Sequence, residues 1–265
     1  MTFDYAILDD LLDVPRERVP TALANVGTVD ASELGPLIEY AYLSRQNQFS
    51  YLPPLRELTS GVIASAVERC VGQVTHFPTG SSLSPLSVEV VNIPATIIAN
   101  PLWTAFSWRL VYAAKQAGFD DLMAKGFGGA FGELADNVFM HSHRPQTAVA
   151  AYRWLAGQFE MVIADAGIGI RSSLCENPDY AELSDDNAAL EAATTMGVSR
   201  FGPGTGHGTG FKTVFDAIAG TGFLRFRSGI AALILNQTDK NLIRRRSLQR
   251  KHFGGVFGSI SCQIG

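Results

Sequence analysis

The chain has 265 residues and a mass of 28.5 kDa, with 46% hydrophobic residues, three cysteines and a formal net charge of −4. Enough apolar material for a core excludes a disordered or fibrous chain, and the mildly acidic balance gives no whole-protein attraction to nucleic acid or anionic membranes. Cys70, Cys175 and Cys262 are far apart, odd in number and in no Cys-x-x-Cys pair. This argues against a disulfide framework or structural zinc and suits a reducing compartment. The acidic start lacks the basic-then-apolar pattern of a signal peptide, and no apolar run approaches bilayer-spanning length. The expectation is a cytoplasmic protein without a membrane partner.

Residues 1–85 read as a small, separate N-terminal α/β unit. A strand is expected over Thr21–Val26, and a helix runs from the candidate N-cap Ser32 to Leu43. A second helix covers about Leu58 to Val71. The Asp30–Leu34 turn into a helix faintly resembles STAS domains, which gives this unit a regulatory or partner-binding role. The Pro-, Gly- and Ser-rich stretch Phe77–Leu86 is the best linker.

Residues 86–265 form the second unit. Ser87–Ile93 alternates like a strand, and a helix from Pro101 to Ala117 offers Trp103, Phe106, Leu110 and Ala113 as a buried stripe. Gly126-Phe-Gly-Gly129 precedes an amphipathic helix over 132–142. Thr147–Trp154 and Phe159–Ala164 make a hairpin around Ala156-Gly157-Gln158. The polar stretch 171–199, with a helix near 188–194, suits a mobile lid. Strands over 222–227, 231–235 and 258–264 close the domain. The fold class is α/β, an α+β sandwich whose mixed, mainly antiparallel sheet carries helices on one face.

Chemistry concentrates in three stretches. On the 132–142 helix, Glu133, Asn137 and His141 follow at four-residue intervals and share one ridge. The apolar strand Met161–Ala164 runs into Asp165-Ala-Gly167-Ile-Gly169. Finally, Gly204-Thr205-Gly206-His207-Gly208-Thr209-Gly210-Phe-Lys212 opens an apolar helix over 213–219. A glycine loop at a helix N-terminus presents backbone N–H groups to phosphate. It is not a Walker loop, because Gly-Phe-Lys stands where Gly-Lys-Ser/Thr would.

In this order and spacing the stretches resemble the GHKL (Bergerat-fold) ATP-binding domain of gyrase B, the Hsp90 chaperones, histidine kinases and MutL. The Glu-x-x-x-Asn-x-x-x-His form is most similar to the anti-sigma-factor and serine-kinase branch. The resemblance covers about residues 100–265 and implies ATP and Mg2+ as cofactors. It implies that Asp165 accepts from the adenine amine, with Gly167 and Gly169 letting the base approach. Asn137 would be the metal ligand, and Glu133 would orient or deprotonate the attacking group as the catalytic residue. Gly204, Thr205, Gly206, His207, Gly208, Thr209 and Gly210 would cradle phosphate. Ser259, in a Gly-Ser pair standing for the family's Gly-Thr, would lie near it. His141 is open between positioning phosphate and a structural bond, and Lys212 between phosphate contact and solvation. His207 departs from the small or apolar residue usual in such loops.

The implied function is an ATP-dependent regulatory switch, either a protein serine/threonine kinase or a slow ATPase, with a regulatory protein partner and a possible homodimer. The alternative is a non-catalytic, nucleotide-gated interaction module. The acid-free basic run Lys240–Lys251 reads as a solvated hairpin or as a docking patch, which keeps a nucleic-acid-associated ATPase in view. A sensor histidine kinase is disfavoured, because His76 sits beside a proline and in no long helix.

Overall fold

The computed structural model describes residues 3–19, 33–59, 62–72, 88–94, 96–195, 213–214, 216, 222–239 and 242–264. The expected strand at 21–26, the linker at 77–86 and the glycine loop at 204–212 lie outside them. In chain order the helices are α1 (Tyr5–Asp13), α2 (Leu34–Leu43), α3 (Leu55–Leu58) and α4 (Val62–Gly72), then α5 (Pro101–Gln116) and α6 (Asp121–His141), then α7 (Gly169–Leu174) and α8 (Asp186–Ala193). The strands are β1 (Val88–Asn92), β2 (Val149–Leu155), β3 (Gln158–Asp165), β4 (Gly222–Asp239) and β5 (Leu242–Gln263). They form one sheet in the order β1-β2-β3-β5-β4. All four neighbouring pairs are antiparallel, so the described sheet is not mixed.

Strand parity decides the two faces. Ala150, Tyr152, Met161, Ile163, Leu224, Phe226 and Ile260 turn one way and pack under Phe106, Leu110, Phe127, Phe131, Leu134 and Val138 of α5 and α6. Val90, Ala151, Val162, Ala164 and Phe257 turn the other way, under Leu8, Leu11, Leu37, Ile38 and Val67 of the N-terminal helices. The sheet is therefore covered on both faces, a correction to the expected single helical layer. The reason is legible in Met161–Ala164, which is apolar at every position and must bury both sides. All described elements within 3–72 are helical, and they share a core with β1, β2, β3 and β5.

Helix α2 is the centre of that second layer, with all ten residues buried. It does not start from Ser32. Glu33 holds the N-cap position without a side-chain cap, and the cap comes from the far side of the chain. Glu160 of β3 accepts from the N–H groups of Leu34 (2.9 Å) and Gly35 (2.7 Å), satisfying two donors of the first turn. Glu39, fully buried in α2, receives both Arg225 and Arg227 of β4. Arg225 also grips Asp9 of α1 with two bonds, of 2.6 and 3.0 Å. This network ties the N-terminal layer to the sheet.

Three local corrections follow. Gly126–Gly129 lies inside α6, which runs unbroken for 21 residues. A Cβ at Gly128 would come within 2.6 Å of Val111 Cγ2, so glycine sets the close α5–α6 approach. Residues 169–195 are not a loose segment: Ala189 and Leu190 are buried, and Asp186 accepts from Ile230 N–H at 2.8 Å. The basic run from 242 onward is the outer half of β5, paired with β4 beyond the reach of β3. No helix among the described residues is long and apolar enough to cross a membrane.

Candidate functional site

Asp165 ends β3 opposite Val256, on the face that α6 covers. Its side chain is fully buried. Oδ1 accepts from Gly167 N–H at 2.7 Å, whereas Oδ2 has no hydrogen-bond partner among the described residues. Burial raises its pKa to about 7, with the N–H groups of Gly167 and Val256 acting the other way. A buried carboxylate oxygen left unpaired costs stability, and folded proteins hold few such groups.

The turn after Asp165 is held from every side. Ala166 N–H donates to Thr147 Oγ1 at 3.0 Å, Ile168 N–H to the Ser142 carbonyl at 3.0 Å, and Ile170 N–H to Ser228 Oγ at 2.9 Å. Ser228 in turn donates to the Gly255 carbonyl at 3.0 Å. The Tyr42 hydroxyl, from the N-terminal layer, bonds the carbonyls of Thr147 and Ala164 at 2.6 and 2.9 Å. Glycine is required at two places. A Cβ at Gly167 would overlap the Ser142 carbonyl and come within 2.7 Å of Asp165 Oδ1, and Gly255, at φ +107°, abuts the Asp165 backbone.

Helix α6 crosses this end of β3 because Leu134 and Val138 bury against the sheet, Leu134 reaching towards Gly258. Gly129, Glu133, Asn137 and His141 then fall on one ridge at its flank. Glu133, Asn137 and His141 are all half-buried. Among the described residues Glu133 and Asn137 have no hydrogen bond or ion pair. His141 Nδ1 lies 3.4 Å from Ser173 Oγ of α7, and Asp136 turns to solvent. His143 is a surface residue paired with Glu176 at 3.0 Å.

The ridge has a neighbour at each end. At the start, a Cβ on Gly129 would lie 3.4 Å from Thr213 Cγ2, the first described residue after the glycine loop. At the finish, Ser142 and His141 touch the Asp165–Gly169 turn and α7. The Glu133–His141 ridge and the Asp165–Gly169 turn thus meet at one end of α6, while Thr213 lies beside the other end of the ridge. The predicted phosphate-cradle residues Gly204, Thr205, Gly206, His207, Gly208, Thr209, Gly210 and Lys212 lie outside the described residues.

Ser259 does not join them. It pairs with Val162 and is buried on the opposite face, where a Cβ at Gly35 would come within 2.6 Å of its Oγ. Parity explains this: Ser259 is three residues from Val256, so it points away from the α6 side. Sequence reading also missed Ser142, Thr147, Ser228 and Tyr42. Ser and Thr beside a glycine turn were the available signal for the first three; nothing local announced Tyr42.

The site offers an unpaired, buried carboxylate oxygen at Asp165 and, on α6, the neutral amide oxygen of Asn137 one turn from the half-exposed Glu133 carboxylate. No cluster of three His, Cys, Asp or Glu side chains able to hold a metal occurs among the described residues. No protein-family model matches this chain, and comparison with curated proteins and with solved structures gives no match.

Proposed function

We propose that this chain binds ATP with magnesium along the α6 ridge and acts as a nucleotide-dependent regulatory switch, by phosphoryl transfer to a protein hydroxyl or by slow hydrolysis. The reading takes the α/β sandwich as a Bergerat-type ATP domain of the anti-sigma and serine-kinase kind. The observation that carries it is the set of groups along the α6 flank. One helix flank bears Glu133 and Asn137, touches the residue that follows the glycine loop at one end, and abuts a buried, half-satisfied Asp165 at the other.

In this reading Asp165 Oδ2 accepts from the exocyclic amine of adenine, and Gly167 leaves room for the ring. Asn137 would hold the cation, whose chemistry there would be charge neutralisation at the phosphates. Glu133, one turn earlier, orients the attacking hydroxyl or water and takes its proton. Ser142, Thr147 and Ser228 keep the turn rigid, so that the acceptor is preorganised.

The test is calorimetric titration with ATP and ADP in magnesium, alongside phosphate release. Binding that Asp165→Ala abolishes, with release that Glu133→Ala abolishes, is the expected pair of results. Binding without release, in the presence of candidate protein hydroxyls, would replace the enzyme by a nucleotide-gated interaction module. Absence of binding would overturn the proposal.

A further inference from the structure

We propose that the outward ridge of α5 is a self-association surface across which two copies of this chain pair about a two-fold axis. The proposal is independent of the nucleotide reading. Helix α5 spends one face on the core through Trp103, Phe106, Leu110, Ala113 and Ala114. On the side opposite, Pro101, Ala105, Trp108 and Tyr112 recur at steps of four, three and four residues and form a single ridge. Trp108 is 70% exposed and Tyr112 62%, with Ile98 at 78% and Leu102 at 43% beside them. Four of the seven exposed large apolar side chains of the described residues fall in this fifteen-residue stretch, so they make a patch and not a scatter.

Three features fit a second copy of the chain. The first is charge. The cations flanking the ridge are already engaged within the protomer: Arg109 grips Glu89 through two bonds, of 2.6 and 2.9 Å, and Lys115 pairs with Asp121. A two-fold image of the ridge therefore meets no bare like charge, and repulsion does not oppose self-pairing. The second is size. Trp108 and Tyr112 leave roughly 300 Å² exposed, and Ile98, Leu102, Pro101 and Ala105 add roughly 250 Å². Two copies would bury up to about 1,100 Å² in all, the scale of a small, weak interface.

The third is shape. Ala105 sits midway along the ridge, and its small side chain lets two helix axes cross at about 8–10 Å, with each Trp108–Tyr112 pair lying beside the partner's helix. A Trp and a Tyr flanking a small residue form an aromatic anchor of the kind that dominates interface energies. The approach to the helix is fixed as well. Asn100 caps α5 by accepting from the N–H groups of Leu102 (3.0 Å) and Trp103 (3.1 Å), so the patch is ordered before it binds.

Sedimentation equilibrium of the full chain, from roughly 1 to 100 μM, tests this in the range expected for a modest interface. The wild type should shift with concentration from 28.5 kDa to twice that mass. The double variant Trp108→Ala, Tyr112→Ala should weaken association at least tenfold and keep its fold, because both side chains face solvent in the protomer. Leu122→Ala, 81% exposed but off the ridge, should leave association unchanged. A wild type that stays monomeric throughout, a dimer indifferent to the double variant, or growth beyond a dimer would each overturn the proposal.

Discussion

Replacing Asp165 with asparagine should stabilise the protein above neutral pH while weakening adenine-nucleotide binding. The native carboxyl has its pKa raised to about 7, chiefly by burial, against about 3.9 for an aspartate in an unfolded chain. A raised value means that the native state holds this proton longer than the unfolded state does. Asp165 therefore costs nothing below the unfolded value, costs progressively more as pH climbs from about 4 to about 7, and reaches a constant penalty above that. The penalty at pH 8 amounts to about 4 kcal/mol, and at pH 5 to about 1.5 kcal/mol.

Asparagine removes the titration but keeps the shape. Its oxygen can accept from Gly167 N–H, and its amide nitrogen then occupies the orphaned position, at a cost of about 1–3 kcal/mol. The net gain at pH 8 is thus about 1–3 kcal/mol, and at pH 5 it vanishes or reverses. The difference between wild type and variant should change by about 3 kcal/mol between the two pH values, whatever the amide costs. Urea unfolding of both proteins at pH 5 and pH 8 measures it directly, since every other titrating group is common to both. A difference that stays constant with pH would refute the reasoning, because Asp165 would then carry no burial penalty. Loss of the charged acceptor should lower adenine-nucleotide affinity by roughly ten- to a hundredfold.

Asn137→Ala should leave stability within about 0.5 kcal/mol of wild type, since the side chain is half-exposed and unbonded among the described residues. It should nevertheless erase the magnesium-dependent part of ATP affinity; equal affinities with magnesium and with a chelator mark that loss, and a retained difference would remove Asn137 from the cation. Gly167→Val should destabilise by about 2–4 kcal/mol, because its side chain would collide with the Ser142 carbonyl. An unchanged thermal midpoint would mean that the turn is not held as described. Glu39→Ala should cost about 3–5 kcal/mol, since it strips Arg227 of its carboxylate and leaves Arg225 with Asp9 alone. A loss under 1 kcal/mol in denaturant titration would show that the network contributes little.

The parts of this protein that the sequence by itself determined are those governed by near neighbours along the chain. The C-terminal half of helix α6, with its Glu133–Asn137–His141 ridge, follows from apolar residues three and four apart, and the β2–β3 hairpin from two apolar runs around Gly157, which adopts φ +77°. The buried stripe of α5 was equally legible, since its helical period leaves Trp103, Phe106 and Leu110 no other face to share. Tertiary structure alone decided what depends on partners far away. Tyr42, Glu39 and Glu160 act across 105 to 188 residues of chain, and no local pattern states which distant group will satisfy a buried polar atom. Ser259 went to the wrong side of the sheet for the same reason. Its face is fixed by the register of β5 on β3, and a register chosen to bury Ile260 and Phe257 on opposite sides leaves Ser259 beside Phe257's layer and away from Asp165. Covering both faces of the sheet was likewise a global choice, made because Met161–Ala164 has no polar side to leave in water.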